Sequence, residues 1–198
     1  MSATNYLVSC SILEDEIKKL FLNKDFKIIY LNWTLHRDYE LLEKALKKVL
    51  KRCVKQSPNR IVLIYGDYCL GSNGEMKKLA KEFGAIKVEA VNCIDCLLGG
   101  RGNYLKTDPD GSKIFLTPGW IKSFDWAFKT VPKDEQHLFK LMFDGCKGII
   151  LLDTIGNLQD YNDQIQQFLD FTGLKILETR KINIKNLRQL INQTKNLS

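Results

Sequence analysis

Residues 60–91, RIVLIYGDYCLGSNGEMKKLAKEFGAIKVEAV, decide the fold. The short apolar run RIVLIY (60–65) reads as a strand. A glycine-containing loop then opens the helix GEMKKLAKEF, and AIKVEAV (85–91) reads as the next strand. A strand–helix–strand unit of this kind predicts two parallel strands with the helix packed on a face of their sheet.

The same alternation continues in both directions. YLVSC (6–10) is a strand, and Ser11 with Glu14 has the spacing of a capping box for a helix to about residue 22. FKIIYL (26–31) is a second strand. An amphipathic helix follows it, with Leu42, Ala45, Leu46, Val49, Leu50 and Cys53 on one face. Beyond residue 91 the alternation lapses. TDPDG is a turn, KIFLTP a short extended piece, and GWIKSFDWAF and DEQHLFKLMF are helical. It resumes with KGIILLD (147–153), a helix over 157–171, the strand LKILET and a last helix carrying Ile184, Leu187, Leu190 and Ile191.

The expected fold is therefore α/β, a three-layer sandwich. One mainly parallel sheet includes the strand near 147–152 and has helices on both faces. At 198 residues the chain reads as a single domain, residues 1–198. Within it, residues 97–145 read as a lid-like insertion covering the carboxyl ends of the strands. Gly99, Gly100 and Gly102 would permit close backbone approach, and Trp120 and Trp126 would supply apolar area for docking.

Composition excludes several classes of protein. Hydrophobic residues are 44% and charged residues 27%, the balance of a soluble globular chain. Lysine supplies most of the net charge of +7, scattered on helix faces (Lys44, Lys47, Lys48, Lys51) and in the tail from Lys175 onward. No stripe of arginines and aromatics accompanies it, so nucleic acid is disfavoured as a partner. The N-terminal MSATNYLVSCSILEDE lacks the basic region of a signal peptide, and acids cut its apolar run short. No apolar stretch approaches the length of a membrane span, and a cytoplasmic location is expected.

In open parallel sheets, ligands bind outside the carboxyl ends of the strands. The first strand ends at Cys10, and the second is followed by Asn32, Trp33 and His36. The third runs into Gly66-Asp67-Tyr68-Cys69, the fourth into Cys93-Ile94-Asp95-Cys96, and the late strand into Asp153-Thr154. Thiols from three strand ends would thus share one edge, which makes Cys10, Cys69 and Cys96 candidate metal ligands, with Cys93 beside them. The bland alternative is that each is a small buried hydrophobe. That alternative suits Cys53, on an apolar helix face, and Cys146, before a strand. Disulfides are not expected in a cytosolic chain.

Gly66 and Gly71 have Walker-like spacing, but Ser72-Asn73 stands where a nucleotide-binding loop needs Lys-Ser/Thr. The loop still opens a helix, whose free amides attract anions or thiolates, so Gly66, Gly71 and Ser72 are candidate cofactor contacts. His36 could reach the site or simply lie at the surface. Asp95 could act as a general acid–base or cap the next helix, the simpler role. Arg101 is a candidate clamp for a small anion. His137, in a helical pattern, reads as structural.

The order of motifs resembles a known family. It comprises a cysteine after the first strand, Leu35-His36, Tyr65-Gly66 with Cys69, Asp95-Cys96-Leu97-Leu98-Gly99, Phe115-Leu116-Thr117-Pro118-Gly119-Trp120, and Leu151-Leu152-Asp153-Thr154. The chain resembles, over nearly its whole length, the bacterial and archaeal family known as domain of unknown function 1638. Two departures stand out. Ile94 replaces a histidine before Asp-Cys, and Cys69 comes one residue later than the family's cysteine. Cys93 could stand in for the missing histidine. The resemblance implies a link with corrinoid-dependent methyl transfer in anaerobes.

Three functional classes follow. The first is a zinc or iron–sulfur site on Cys10, Cys69 and Cys96, with an open position for a small-molecule substrate or a cofactor held by a partner. The second is a metal-free thiol or redox enzyme in which the helix end lowers the pKa of Cys96. The third is a non-catalytic accessory protein that binds a small anion. The first is preferred, with Cys96, Asp95 and His36 as its candidate catalytic groups.

Overall fold

A computed structural model describes residues 4–20 and 22–197. Residues 1–3 of the N-terminal stretch, position 21 of the expected first helix and residue 198 lie outside this description, as do the side chains of residues 23, 139, 196 and 197. In chain order the elements are β1 (Asn5–Cys10), α1 (Glu14–Lys19), β2 (Lys27–Leu31), α2 (Tyr39–Val54) and β3 (Arg60–Ile64). They continue with α3 (Glu75–Glu82), β4 (Ile86–Lys87), α4 (Cys93–Leu97), α5 (Asn103–Thr107), β5 (Lys113–Leu116) and α6 (Pro118–Thr130). The last five are α7 (Gln136–Leu141), β6 (Gly148–Asp153), α8 (Asn162–Thr172), β7 (Ile176–Lys181) and α9 (Lys185–Gln193).

The protein is α/β with parallel strand pairing throughout its named sheets. One expectation needs correction. Among the described residues the strands form two sheets, of order β2-β1-β3-β4 and β5-β6-β7. The strand at 148–153 belongs to the second sheet, because its ladder partners are β5 and β7. The chain accordingly divides into two compact units, 1–104 with 184–198, and 105–183. Residues 97–145 are shared between them: 97–104 belong to the first unit, and the remainder supplies β5, α6 and α7 to the second.

In the first unit β1 and β3 are the inner strands, and their side chains are buried almost continuously, as strands covered on both faces require. The Ser11–Glu14 capping box does not form. A short 3-10 turn over Ser11–Leu13 precedes α1, and Ser11 Oγ instead accepts the Trp33 amide at 3.0 Å. The long helix forms as read. Asp38 caps it by accepting the amides of Glu40 and Leu41 at 2.9 and 3.1 Å. Its buried face is Leu42, Leu46, Val49, Leu50 and Cys53.

The second unit has its own core of Leu116, Ile121, Phe143, Ile149, Leu151, Leu158, Ile165 and Phe168. Phe168 lies 4.7 Å from Phe124 and 5.2 Å from Phe143, centroid to centroid, in tilted and edge-on contacts that suit the ring quadrupoles. Trp120 packs against this core, whereas Trp126 is exposed. The Thr-Pro-Gly-Trp motif is a helix start. Thr117 caps α6 by accepting the Trp120 amide at 3.3 Å, and Pro118 occupies the first turn, where no amide is needed. Thr117→Ala is expected to lower stability by about 1 kcal/mol. Chemical denaturation would read this as a lower midpoint, and an unchanged midpoint would show that the cap contributes nothing.

Candidate functional site

The strand order of the first unit fixes where a site can be. After β1 the chain moves outward to β2, then returns to the other side of β1 for β3. Such a reversal leaves a crevice at the carboxyl ends of the two inner strands, where doubly wound sheets bind ligands. Cys10 closes β1 and Tyr65 follows β3. The parallel register pairs Ser9 with Ile64, so the next step outward sets Cys10 beside Tyr65 on the same face.

The loop after β3 is held by close backbone approach. A Cβ on Gly66 would lie 2.3 Å from the Val91 carbonyl oxygen and 2.4 Å from the backbone N and Cα of Asn92. Glycine at this position lets Asp67 donate its amide to the Ala90 oxygen at 3.0 Å and Tyr68 donate to Val91 at 3.1 Å. Val88 still donates to the Leu63 oxygen at 3.0 Å, but beyond it these bonds replace the expected strand pairing, and β4 is only two residues long. They also hold the loop carrying Cys69 against the segment that starts α4 with Cys93.

Asp95 anchors that segment. It is fully buried, and its carboxylate accepts the amides of Val91 at 3.0 Å, Gly102 at 3.3 Å and Tyr104 at 2.9 Å. Two of these amides belong to the start of α5, so Asp95 does cap the next helix, and its oxygens are committed to backbone rather than turned to a reacting group. Asn92 in turn caps α4 by accepting the Asp95 amide at 2.8 Å.

The thiols influence one another electrically. Burial pushes Cys10 and Cys69 up to about 12, with Cys93 adding to both, Cys69 adding to Cys10, and local backbone hydrogen bonds pulling the other way. Cys96 is fully buried and is raised well above the ordinary thiol value, first by burial and then by Cys93 and Cys69. The helix end therefore does not lower Cys96, because burial outweighs what a five-residue helix can supply. Cys53 is buried on α2 as expected, while Cys146 is half-buried.

His36 joins this group. Its Nδ1 lies 3.2 Å from the Trp33 carbonyl and 3.8 Å from Cys10 Sγ, and its ring stacks on Tyr65 at 6.0 Å and 18°. An N–H at Nδ1 would satisfy the Trp33 carbonyl and leave the lone pair on Nε2. Burial lowers the His36 pKa and favours this neutral ring. A backbone carbonyl on one nitrogen with the other left open is the usual arrangement behind a metal-binding histidine.

The sequence reading gave no role to three residues of this neighbourhood: Tyr65, Lys87 and Asp67. Lys87 is 6% exposed. Its ammonium meets Asp67 Oδ1 at 3.0 Å and donates to the carbonyls of Val88 and of Ala90, the latter at 3.3 Å. Burial lowers its pKa, against the opposing pull of Glu89 and of the thiols of Cys96 and Cys69. A lysine inside AIKVEAV, apolar but for it and Glu89, was the available signal, since a buried ammonium needs such partners.

The remaining candidates are engaged elsewhere. Arg101 pairs with Asp67 and, at 3.2 Å, with Glu89, so its guanidinium is held by carboxylates instead of being held open for an anion. The start of α3 is filled by its own Glu75, which accepts the Asn73 amide at 2.8 Å. The Glu75 carboxylate stands 3.1 Å from the place of a Gly71 Cβ. Ser72, in the same loop, is exposed. His137 is exposed, with Nδ1 2.7 Å from the Asp134 carbonyl.

Among the described residues, no three His, Cys, Asp or Glu side chains are grouped so as to hold a metal ion as they stand. The donor types nevertheless suit one, since thiolate and imidazole are the preferred ligands of zinc and, for thiolate, of iron–sulfur clusters.

These features define an α/β protein whose first unit gathers thiols of several loops near the carboxyl ends of its inner strands. The family model described as Protein of unknown function (DUF1638) matches residues 30–191, and the chain belongs to that family. His36, Cys69, Cys93 and Cys96 lie inside the matched span and Cys10 outside it. No curated protein and no solved structure matches the chain. Among the described residues no helix is long and apolar enough to cross a membrane.

Proposed function

We propose that the first unit binds a soft metal centre, zinc or an iron–sulfur cluster, through Cys10, Cys69 and Cys96, with Cys93 and His36 adjoining. What supports the reading is the mutual electrical influence of four thiols beside the switch point. Cys10, Cys69 and Cys96 resist ionisation chiefly because of burial, and a bound cation is the natural source of the missing positive charge. When bound, zinc would supply Lewis acidity and a cluster would supply electron transfer.

The chain's own residues do the rest. His36 Nε2 would offer a lone pair, Lys87 adds positive charge felt by Cys69 and Cys96, and Asp95 and Gly66 keep the two loops together. A small-molecule substrate or a cofactor held by a partner would take the open position. The family resemblance extends the proposal to corrinoid-linked methyl transfer. All six cysteines are present as thiols, which suits a reducing, cytoplasmic setting.

The test is anaerobic purification followed by metal analysis and a visible spectrum. Wild type is expected to carry metal, Cys96→Ser to fall to background, and Cys53→Ser and Cys146→Ser to retain it. Equal metal content in all three variants would reject the reading.

A further inference from the structure

We propose that two copies of this chain pair through the free edge of β7, antiparallel about a two-fold axis at Thr179, so that their second-unit sheets join into one. The pairing goes beyond the metal reading and does not depend on it. Among the described residues β7 ends the order β5-β6-β7, so one of its sides bonds to β6 and the other has no strand beside it. Most of its side chains are exposed, including Ile176 at 42% and Leu177 at 50%. An open strand edge of this kind is a template for another strand.

The backbone sets which groups face outward. Ile182 donates its amide to the Asp153 oxygen at 2.9 Å, and the parallel register sets Thr179 beside Leu151 and Lys181 beside Asp153. Successive residues of a strand turn their peptide groups to opposite sides. Glu178, Arg180 and Ile182 therefore bond towards β6, while Thr179 and Lys181 present N–H and C=O at the free edge. Two β7 strands centred on Thr179 would exchange both N–H···O bonds between the two threonines. The flanking positions then set Glu178 of each copy opposite Arg180 of the other. These are the closer, non-hydrogen-bonded pairs of an antiparallel ladder, with Cα atoms about 4.5 Å apart.

Charge chooses both the register and the partner. Within one copy Arg180 already holds Glu178 through two bonds, at 2.7 and 2.9 Å, and this grip lowers the Glu178 pKa, so both groups are charged at neutral pH. Two such pairs brought together about the axis alternate in sign around a cluster of four charges. Opposite charges across a strand pair stabilise it, and like charges directly opposite destabilise it. An axis at Glu178, Arg180 or Lys181 would set that charge against its own copy, so Thr179 is the favoured centre. A strand of another protein would need acid and base in this same order, whereas a second copy has them by symmetry. Leu177 would meet Lys181 of the other copy, whose methylene stem can cover it.

Sedimentation velocity of the full chain at low salt, over a range of concentrations, distinguishes one copy of 22.8 kDa from a pair. Wild type is expected to dimerise. Glu178→Arg and Arg180→Glu each place like charges opposite one another twice, and each is expected to weaken the dimer about 10-fold or more. Mixing these two variants restores opposite charges at both positions and is expected to restore a dimer with one copy of each. The double variant Glu178→Arg, Arg180→Glu is expected to dimerise like wild type. Thr179→Pro removes an outward amide without touching the β6 ladder and is expected to be monomeric. Hydrogen exchange on wild type serves if a variant fails to fold, because the Thr179 and Lys181 amides are expected to gain protection as the dimer forms. Wild type that stays monomeric up to about 1 mM overturns the inference. So does a dimer that both single charge variants leave intact, or one in which those two amides exchange freely.

Discussion

A Gly66→Ala variant is expected to lose upward of about 3 kcal/mol of stability, the upper range for forcing extra atoms into a packed interior. The added methyl would meet backbone on every side: the Val91 oxygen at 2.3 Å and the Asn92 N and Cα at 2.4 Å. No side-chain rotation can relieve a clash with backbone, so one of the two segments must move away. Movement breaks the Asp67–Ala90 and Tyr68–Val91 hydrogen bonds. It also displaces Asn92, whose side chain starts α4. Cys69 and Cys93 sit on opposite sides of this seam, so the variant is also expected to lose the metal uptake proposed for wild type. Urea denaturation measures the first effect and metal analysis the second. A variant within about 1 kcal/mol of wild type would show that the seam is loose and that Gly66 does not hold the thiol loops together.

Much of the first unit was legible because its inner strands are covered on both faces. RIVLIY and YLVSC could therefore be read as short apolar runs ending at known residues, and the ends of those runs placed Cys10 and the 66–69 loop at one edge. What could not be read was which ladder a strand joins. KGIILLD has the composition of an inner strand in either sheet, and its partners at 113–116 and 176–181 are set by tertiary pairing alone. AIKVEAV was overextended for a related reason. Its alternation suits a strand, but after Val88, whose amide still bonds Leu63, the carbonyls of Ala90 and Val91 turn to the amides of Asp67 and Tyr68. Ser11 and Glu14 had the right spacing for a capping box, yet the Trp33 amide, 22 residues away, took the serine hydroxyl. The site followed the same rule. Thiols at strand ends announce themselves, whereas the pairing of buried Lys87 with Asp67 joins two separate segments and is visible only in three dimensions.

Asp95→Ala is expected to be the other severely damaging substitution, at about 4 kcal/mol, although the residue sits next to Cys96 and resembles a catalytic acid in sequence. Three backbone amides, of Val91, Gly102 and Tyr104, depend on the two oxygens of this fully buried carboxylate. Removing the carboxylate leaves them unpaired, and each buried amide without an acceptor costs about 1–3 kcal/mol before relaxation. Asp95→Asn keeps the shape but substitutes an NH2 for one acceptor, so it should fall between wild type and Asp95→Ala. This ordering separates an anchor from a catalytic group. An anchor loses stability in proportion to the acceptors removed, and metal uptake declines only as the folded fraction declines. A proton-transfer residue would leave both variants as stable as wild type, because its carboxylate would have faced a ligand and not the backbone. Urea midpoints of the three proteins, measured at one pH above the carboxylate range, decide the matter. Three equal midpoints would return Asp95 to the list of candidate acids.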